Sequence, residues 1–244
     1  PAVNTVCAQG LVEVLDELLL LGRVQGEGAT VGSDGGQAVA AEVARTVTSN
    51  YYALWIASNN GREGIVARLL EVEGLDVNLG HPDDACSPLY VACEKGHEGV
   101  VQLLLAQDAI DVNKATTTDG RAPLHVACQN GHENVVRLLL AQDAVNVNQT
   151  LTTDGATPLF IACSKGHRGV VELLLDKSET DANQSCDDDS TPLFIACSKG
   201  NDEVVEVLLE RDVDESAMVS GWTPIAIAEA QGHVSTAAIL RRAE

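Results

Sequence analysis

The feature that most constrains this chain is a short phrase that returns at a nearly constant interval. It reads Ser-Pro-Leu-Tyr-Val-Ala-Cys at 87–93, and related copies start at 122, 157, 191 and 223. Their prolines lie at 88, 123, 158, 192 and 224, and a glycine follows each proline eight residues later. A weaker copy spans 52–57. This period predicts a solenoid, in which stacked units bury one another's apolar sides.

One repeat unit predicts a pair of short helices. Thr157 is an expected N-cap because its hydroxyl can accept a backbone N–H, and Pro158 is well suited to the first helical position. Gly166 should end this helix after about two turns, too few for stability alone. A second helix is expected from about Arg168 to Asp176, with an apolar face so wide that neighbouring units must cover it.

Composition excludes several classes of function. The chain has 36 Asp and Glu against 15 Lys and Arg, a formal charge of -21 that repels a phosphate backbone, so we predict no nucleic-acid binding. No apolar run approaches the roughly 18 residues of a membrane span, so we predict no membrane insertion. Seven cysteines without a Cys-x-x-Cys pair favour a reducing, cytoplasmic location. The start at Pro1 indicates a domain of a longer protein or a processed product.

The repeated phrase resembles the ankyrin repeat, whose signature joins Thr-Pro-Leu-His-x-Ala to a Gly-His turn and a Val-Val-x-Leu-Leu-Leu helix. The resemblance implies an all-α solenoid of helix-turn-helix units with projecting, β-hairpin-like fingers; Asp154-Gly155 predicts a tight turn in one of them. Only His125 keeps the family's histidine. The other units carry Trp55, Tyr90, Phe160, Phe194 and Ala226 in its place.

We expect a single solenoid over residues 1–244. A partial repeat or cap at 1–21 is followed by a glycine-rich insertion at 22–47. The repeats are predicted at 48–80, 81–115, 116–150, 151–184, 185–216 and 217–244. Ser235, Thr236, Arg241 and Arg242 are expected to give the last unit a polar exterior, and we therefore predict a monomer.

The cysteines, histidines and aspartates do not form a pattern that predicts a catalytic, cofactor-binding or metal-binding site. We therefore predict no enzyme activity, no cofactor and no metal. The cysteine column at 93, 128, 163 and 197 is interpreted as core packing, and Cys86 and Cys186 as the more reactive thiols. The histidines after the turn glycines, at 97, 132, 167 and 233, are expected to brace loops. Calcium binding at Asp187–Asp189 is less favoured than a solvated acidic fingertip, because the ligand spacing of a calcium loop is missing.

The resemblance implies that a partner protein binds the fingers and the exposed face of each first helix. The predicted finger contacts are Asp83, Asp84, Thr118, Asp119, Arg121, Thr153, Asp154, Asp187, Asp188 and Trp222. The predicted helix contacts are Glu94, Lys95, Gln129, Asn130, Ser164, Lys165, Ser198 and Lys199. Acidic residues dominate the fingertips, so a partner with a basic surface is expected.

Three functions stay open from the sequence. The chain is predicted to be a non-catalytic protein-binding module, a regulatory or targeting arm of a larger enzyme or channel, or a substrate for asparagine hydroxylation. The last would involve Asn78, Asn113, Asn148 and Asn183, which match the position modified in ankyrin-family proteins. The column of Trp55, Tyr90, Phe160 and Phe194 is either a recognition stripe or packing between units, and packing is favoured.

Overall fold

The computed structural model describes residues 53–211 and 213–243, where twelve helices form six successive pairs. The first helices of the pairs are α1 (53–59), α3 (Pro88–Lys95), α5 (Pro123–Asn130), α7 (Pro158–Lys165), α9 (Pro192–Lys199) and α11 (Pro224–Ala230). The second helices are α2 (Glu63–Leu70), α4 (Glu98–Leu105), α6 (Glu133–Leu140), α8 (Arg168–Leu175), α10 (Asp202–Leu209) and α12 (Val234–Ala243). The cap predicted at 1–21 and the insertion predicted at 22–47 lie outside the described residues.

The helices pack in two layers. From α3 onward each first helix contacts the first helix of the next pair, as α3 does with α5 and α5 with α7. The second helices contact one another in the same way, as α4 does with α6 and α6 with α8. Each pair therefore adds one helix to each layer, and the predicted all-α solenoid is confirmed.

The predicted start and end of the first helices are also confirmed. In α7 the Thr157 hydroxyl accepts a hydrogen bond from the backbone N–H of Phe160 at 3.1 Å, and Pro158 is the first helical residue. The helix ends at Gly166, whose φ of 76° is in the left-handed region that favours glycine. Helix α5 has Ala122 as its N-cap, which lacks a hydroxyl; the N–H of Ala122 donates instead to Nδ1 of His125 at 3.1 Å.

A continuous apolar core runs between the two layers. Each of the ten helices from α1 to α10 contributes one leucine with at most 2% exposure, namely Leu54, Leu69, Leu89, Leu104, Leu124, Leu139, Leu159, Leu174, Leu193 and Leu208. Cys93, Cys128, Cys163 and Cys197 are fully buried in this core, which confirms their interpretation as packing residues. The prediction that Thr236 lies on a polar exterior is wrong: it is fully buried and its hydroxyl donates to Oδ1 of Asp202.

The loops before the first helices are tight turns. We call the loops at 81–86, 116–121, 151–156 and 186–190 the finger loops, and 218–222 the terminal finger loop. A backbone hydrogen bond closes the base of each, as from Thr116 N–H to the Arg121 carbonyl at 2.9 Å. Gly155 has a φ of 72°, in the left-handed region, which agrees with the tight turn predicted at Asp154-Gly155. The described residues contain no strand, only a bridge between Val219 and Trp222, so the expected β-hairpin form is not found.

Candidate protein-binding surface

The four finger loops are linked into one row. The N–H of Thr117 donates to the carbonyl of Asp84 at 2.9 Å, which joins the first loop to the second. The N–H of Thr152 and the carbonyl of Asp119 make the next link, and Asp187 and Asp154 make the third, both also at 2.9 Å. Backbone groups thus set the spacing of successive loops. We call this arrangement the finger row.

An aspartate at the same position in each finger loop shapes the turn. Oδ1 of Asp84 accepts a hydrogen bond from the N–H of Cys86 at 3.0 Å. Asp154 and Asp188 make the same contact two residues along, at 3.1 and 3.0 Å. Asp119 does so with Arg121 at 3.3 Å, and its other oxygen pairs with the Arg121 side chain at 2.8 Å. These residues were predicted only as partner contacts, yet their carboxylates also close the loops.

Hydrogen bonds lower the pKa of two of these carboxylates. Partial burial raises the pKa of Asp84, but hydrogen bonds from Cys86 outweigh it and lower the pKa below its ordinary value. For Asp119, burial is likewise outweighed by hydrogen bonds from Thr116 and Arg121, and its pKa is lowered. Both groups therefore carry negative charge near neutral pH. The turn hydrogen bonds thus favour the ionised form of Asp84 and Asp119.

Every predicted contact residue is reachable from solvent. The exposed ones are Asp83, Lys95, Thr118, Asn130, Thr153, Asp154, Asp187, Asp188, Lys165, Lys199 and Trp222. The partly buried ones are Asp84, Glu94, Asp119, Arg121, Gln129, Ser164 and Ser198. The structure thus distributes them over the finger loops and the ends of the first helices, on neighbouring repeats.

The first-helix ends differ between repeats. Lys95 pairs with Glu94 at 3.0 Å, and Nη1 of Arg121 donates to Oε1 of Gln129 at 3.0 Å. Helices α7 and α9 have the same sequence, PLFIACSK, and end in Lys165 and Lys199. No ion pair involves these two lysines within the described part of the chain. The end of the first helix therefore carries a paired charge in the second described repeat, neutral side chains in the third, and an available cation in the fourth and fifth.

The turn histidines brace neighbouring repeats, as predicted. Nε2 of His132 lies 3.1 Å from the carbonyl oxygen of Glu94, and Nε2 of His167 lies 3.0 Å from that of Gln129. His97 and His233 make equivalent contacts with Asn59 and Ser198, at 3.1 Å each. Each histidine contacts a carbonyl at the C-terminal end of the first helix of the preceding repeat. They set the spacing of the helix ends that carry the predicted contacts.

The aromatic column packs between repeats. Nε1 of Trp55 donates to the carbonyl of Cys86 in the next finger loop at 3.2 Å. Phe160 packs against a small buried cluster of Leu151, Ala156, Ile161 and Cys186 beneath the finger row, and Phe194 is only 8% exposed. His125 is fully buried in the same column. These contacts support packing and leave little of the column as a recognition stripe.

Cys86 and Cys186 are less buried than the four cysteines of the column, as the prediction requires, but neither is a reactive thiol. Both lie in finger loops but are buried, with 6% and 8% exposure. Burial raises the pKa of Cys86 to about 11 and that of Cys186 to about 12, and nearby aspartates add to both shifts. Because the thiolate is the nucleophile, these thiols are poorly reactive near neutral pH.

The candidate hydroxylation sites form a ladder of inter-repeat contacts. Nδ2 of Asn113 donates to the carbonyl of Ala144 at 2.7 Å, and its Oδ1 accepts from the N–H of Asn146 at 2.8 Å. Asn78 and Asn148 make the same two contacts with the following repeat. An enzyme would have to break these hydrogen bonds to draw such a side chain out. Modification of these asparagines stays a prediction.

The terminal finger loop holds a residue that the sequence reasoning missed. Met218 is 57% exposed, and Trp222, four residues later, is 45% exposed. The signal was available, because Ser-Gly at 220–221 is a typical tight-turn dipeptide and places its flanking residues at a tip. Across residues 53–211 and 213–243, no group of three or more His, Cys, Asp or Glu is arranged to hold a metal ion.

A family model described as "Ankyrin repeats (3 copies)" matches residues 4–116, 109–186 and 178–244. The chain belongs to the ankyrin-repeat family. Ankyrin repeats are in general protein-protein interaction modules, and domains built from them are typically non-catalytic. No curated protein matches this chain. None of the helices that the structure describes is both long enough and apolar enough to cross a membrane.

Proposed function

We propose that this ankyrin-repeat chain is a non-catalytic module that binds a protein partner with a basic surface along the finger row and the first-helix ends. One observation carries the proposal: the finger loops present many acidic residues and a single arginine, Arg121, which is already paired with Asp119. The acidic residues are Asp83, Asp84, Asp119, Asp154, Asp187, Asp188 and Asp189. A strip of lysines and arginines is the matching surface.

The geometry favours recognition that is fast and selective. Backbone hydrogen bonds join the loops into a row, so little ordering is needed when a partner docks. Rim charges of this kind mainly raise the association rate and reject partners of the wrong charge. The available Lys165 and Lys199 lie at the ends of α7 and α9, where a partner carboxylate would find a complementary charge.

We further propose that the chain is a monomer in a reducing compartment such as the cytoplasm. Six cysteines are free and buried in the described residues, as expected where disulfides do not form. A formal charge of -21 opposes the approach of a second copy. Sedimentation of the reduced chain at several concentrations measures its mass directly.

Affinity capture with charge-matched variants tests the proposal. The finger variant carries Asp83→Asn, Asp154→Asn and Asp187→Asn. Asp83 and Asp187 do not accept the turn hydrogen bond, and at position 154 the amide oxygen keeps the acceptor for the N–H of Ala156. The control carries Glu133→Gln, Glu203→Gln and Glu206→Gln on the second helices. All six residues are exposed, so both variants remove three charges from the surface.

We expect wild type and control to recover the same partner from a cell extract and the finger variant to recover at least several-fold less. Recovery should also fall as salt rises, because exposed charges are screened. Equal recovery by all three proteins, or equal loss in both variants, would show that the finger row does not select the partner.

A further inference from the structure

The terminal finger loop differs chemically from the four finger loops that precede it. Each earlier loop has an aspartate that closes its turn, whereas residues 218–222 contain no acid. Four large hydrophobic side chains are exposed in the described residues, and two of them, Met218 and Trp222, belong to this loop. The other two are Leu79, beside the first finger loop, and Val234, at the start of α12. The row of acidic turns therefore ends in an apolar tip.

The apolar tip is rigidly mounted. The N–H of Val219 donates to the carbonyl of Trp222 at 3.0 Å, and the N–H of Trp222 donates back at 2.9 Å. Ser220 and Gly221 have φ values of 50° and 84°, both left-handed, as in the two-residue turn that matches the twist of a hairpin. A tryptophan held in this way adds contact area at little entropic cost, and tryptophan is enriched among residues that dominate interfaces.

Exposed acidic residues precede the tip in the chain and occupy the finger loop of the adjacent repeat. Asp214 and Glu215 precede it and are exposed. Asp187 and Asp188 belong to the finger loop of the adjacent repeat, since the two loops lead into α9 and α11, which pack together. The nearest arginine in sequence, Arg211, is paired with Asp176 at 2.9 Å.

We propose that the terminal finger loop binds a bulky apolar residue in a basic, extended segment of the partner protein, while lysines or arginines beside that residue contact the acidic finger loops. This proposal rests on the proposed function and adds the chemistry of the partner. A second copy of the chain fits poorly, because two copies each bring a charge of -21. Anionic lipid and nucleic acid are repelled for the same reason.

The spacing of the repeats predicts how far apart the basic residues lie in the partner's extended segment. Packed helices lie about 8–10 Å apart, and an extended chain advances about 3.3 Å per residue. Basic side chains about three residues apart would therefore meet successive finger loops. The apolar residue lies at the end of this series that faces the last repeat.

A displayed library of random 12-residue peptides, selected on the full 244-residue chain, tests the proposal. The test variant carries Met218→Ser and Trp222→Ser. The matched control is Val234→Ser, which removes an exposed apolar side chain outside the finger loops; at 76% it is more exposed than either test residue. Circular dichroism and thermal unfolding check that both variants keep the fold.

We expect the selected peptides to combine a bulky apolar residue with two or more lysines or arginines. They should bind the control as they bind wild type, and bind the test variant at least tenfold more weakly. Peptides without this composition, peptides that bind the test variant equally well, or a selection that enriches nothing would overturn the proposal. Peptides that lose affinity with Asp154→Asn and Asp187→Asn but not with the test variant would leave the proposed function standing and remove this inference.

Discussion

The helix stack and the finger row are parts of the same repeats, yet they follow opposite rules. In the stack, equivalent positions carry the same residue: a leucine recurs in each of the ten helices α1 to α10, and a cysteine recurs at 93, 128, 163 and 197. In the row, the aspartate that closes the turn is kept, but the residue before it varies: it is Asp83, Thr118, Thr153 or Asp187. The buried layer therefore specifies the scaffold, and the exposed row is the part that can specify a partner.

The two regions also differ in what holds them. Burial of apolar surface stabilises the stack. The row depends on single hydrogen bonds, from one backbone to the next and from each aspartate to its own turn. Substitutions in the stack should therefore change stability, and conservative substitutions in the row should change binding.

The sharpest contrast is between a core leucine and the exposed tryptophan. Leu139→Ala should lower the free energy of unfolding by about 2–5 kcal/mol, because it leaves a cavity around a fully buried position. Trp222→Ala, at a surface tip, should change it by less than about 1 kcal/mol. Urea unfolding followed by circular dichroism measures both. Similar losses in the two variants would mean that the terminal finger loop is part of the core.

A second contrast uses pH to single out the one fully buried histidine of the described residues, the others being partly buried. Burial is the largest cause that lowers the pKa of His125, from 6.5 to about 4. The unfolded chain therefore binds a proton at His125 more readily than the folded chain does. The contribution of His125 to the free energy of unfolding is fully present above pH 6.5 and is lost as the pH drops towards 4. The loss reaches about 3 kcal/mol.

The matched variant for this test is His125→Phe, which places in α5 the residue that α7 and α9 carry at this position. Unfolding is measured at several pH values between 4 and 7, and the difference between the two proteins is plotted against pH. The variant should lack the part of the decrease in unfolding free energy at low pH that is due to His125. Parallel curves for the two proteins would contradict the assignment to His125.

A third test separates backbone strain from the bracing contacts. Gly131 and Gly74 have φ values of 72° and 78°, so alanine costs about 1 kcal/mol or more at either. A Cβ at Gly131 would lie 2.8 Å from Nδ1 of His167, whereas nothing lies within 4 Å at Gly74. Gly131→Ala should therefore be more destabilising by a further 1–3 kcal/mol or so. Equal thermal shifts would show that His167 does not hold the repeats in register.

The smallest effects on stability are expected in the finger row. Asp187→Asn should change the free energy of unfolding by no more than about 0.5 kcal/mol, because the residue is exposed. It should slow association with a basic peptide from the library selection, and the slowing should vanish in high salt. Stopped-flow mixing measures the rate. An unchanged rate at low salt would place the basic segment elsewhere.

Most of the scaffold could be predicted from the sequence, because its determinants are local and repeated. Thr157 and Pro158 mark a helix start, Gly166 marks its end, and the same signals recur in later repeats. The bracing role of the histidines followed from their identical placement after each turn. These features depend on residues near one another in the chain or at the same place in each unit.

The finger row was harder to predict, because its details depend on contacts between loops. The number of residues in a loop does not show that the N–H of Thr117 donates a hydrogen bond to Asp84 in the adjacent repeat. Nor does it show that the side chains of Cys86 and Cys186 are buried. The aspartates show the same limit: their exposure suggested partner contacts, while their turn hydrogen bonds became visible only in three dimensions. Met218 was missed because one hydrophobic residue beside a turn resembles any other core candidate.

Hydrogen exchange of the chain with and without a selected basic peptide tests the central claim most directly. The account predicts slower exchange on binding in the finger loops, at residues 81–86, 116–121, 151–156 and 186–190, and in the terminal finger loop. The second helices, such as α6 and α8, should exchange as before. Protection confined to the second helices, with the finger loops unchanged, would contradict it.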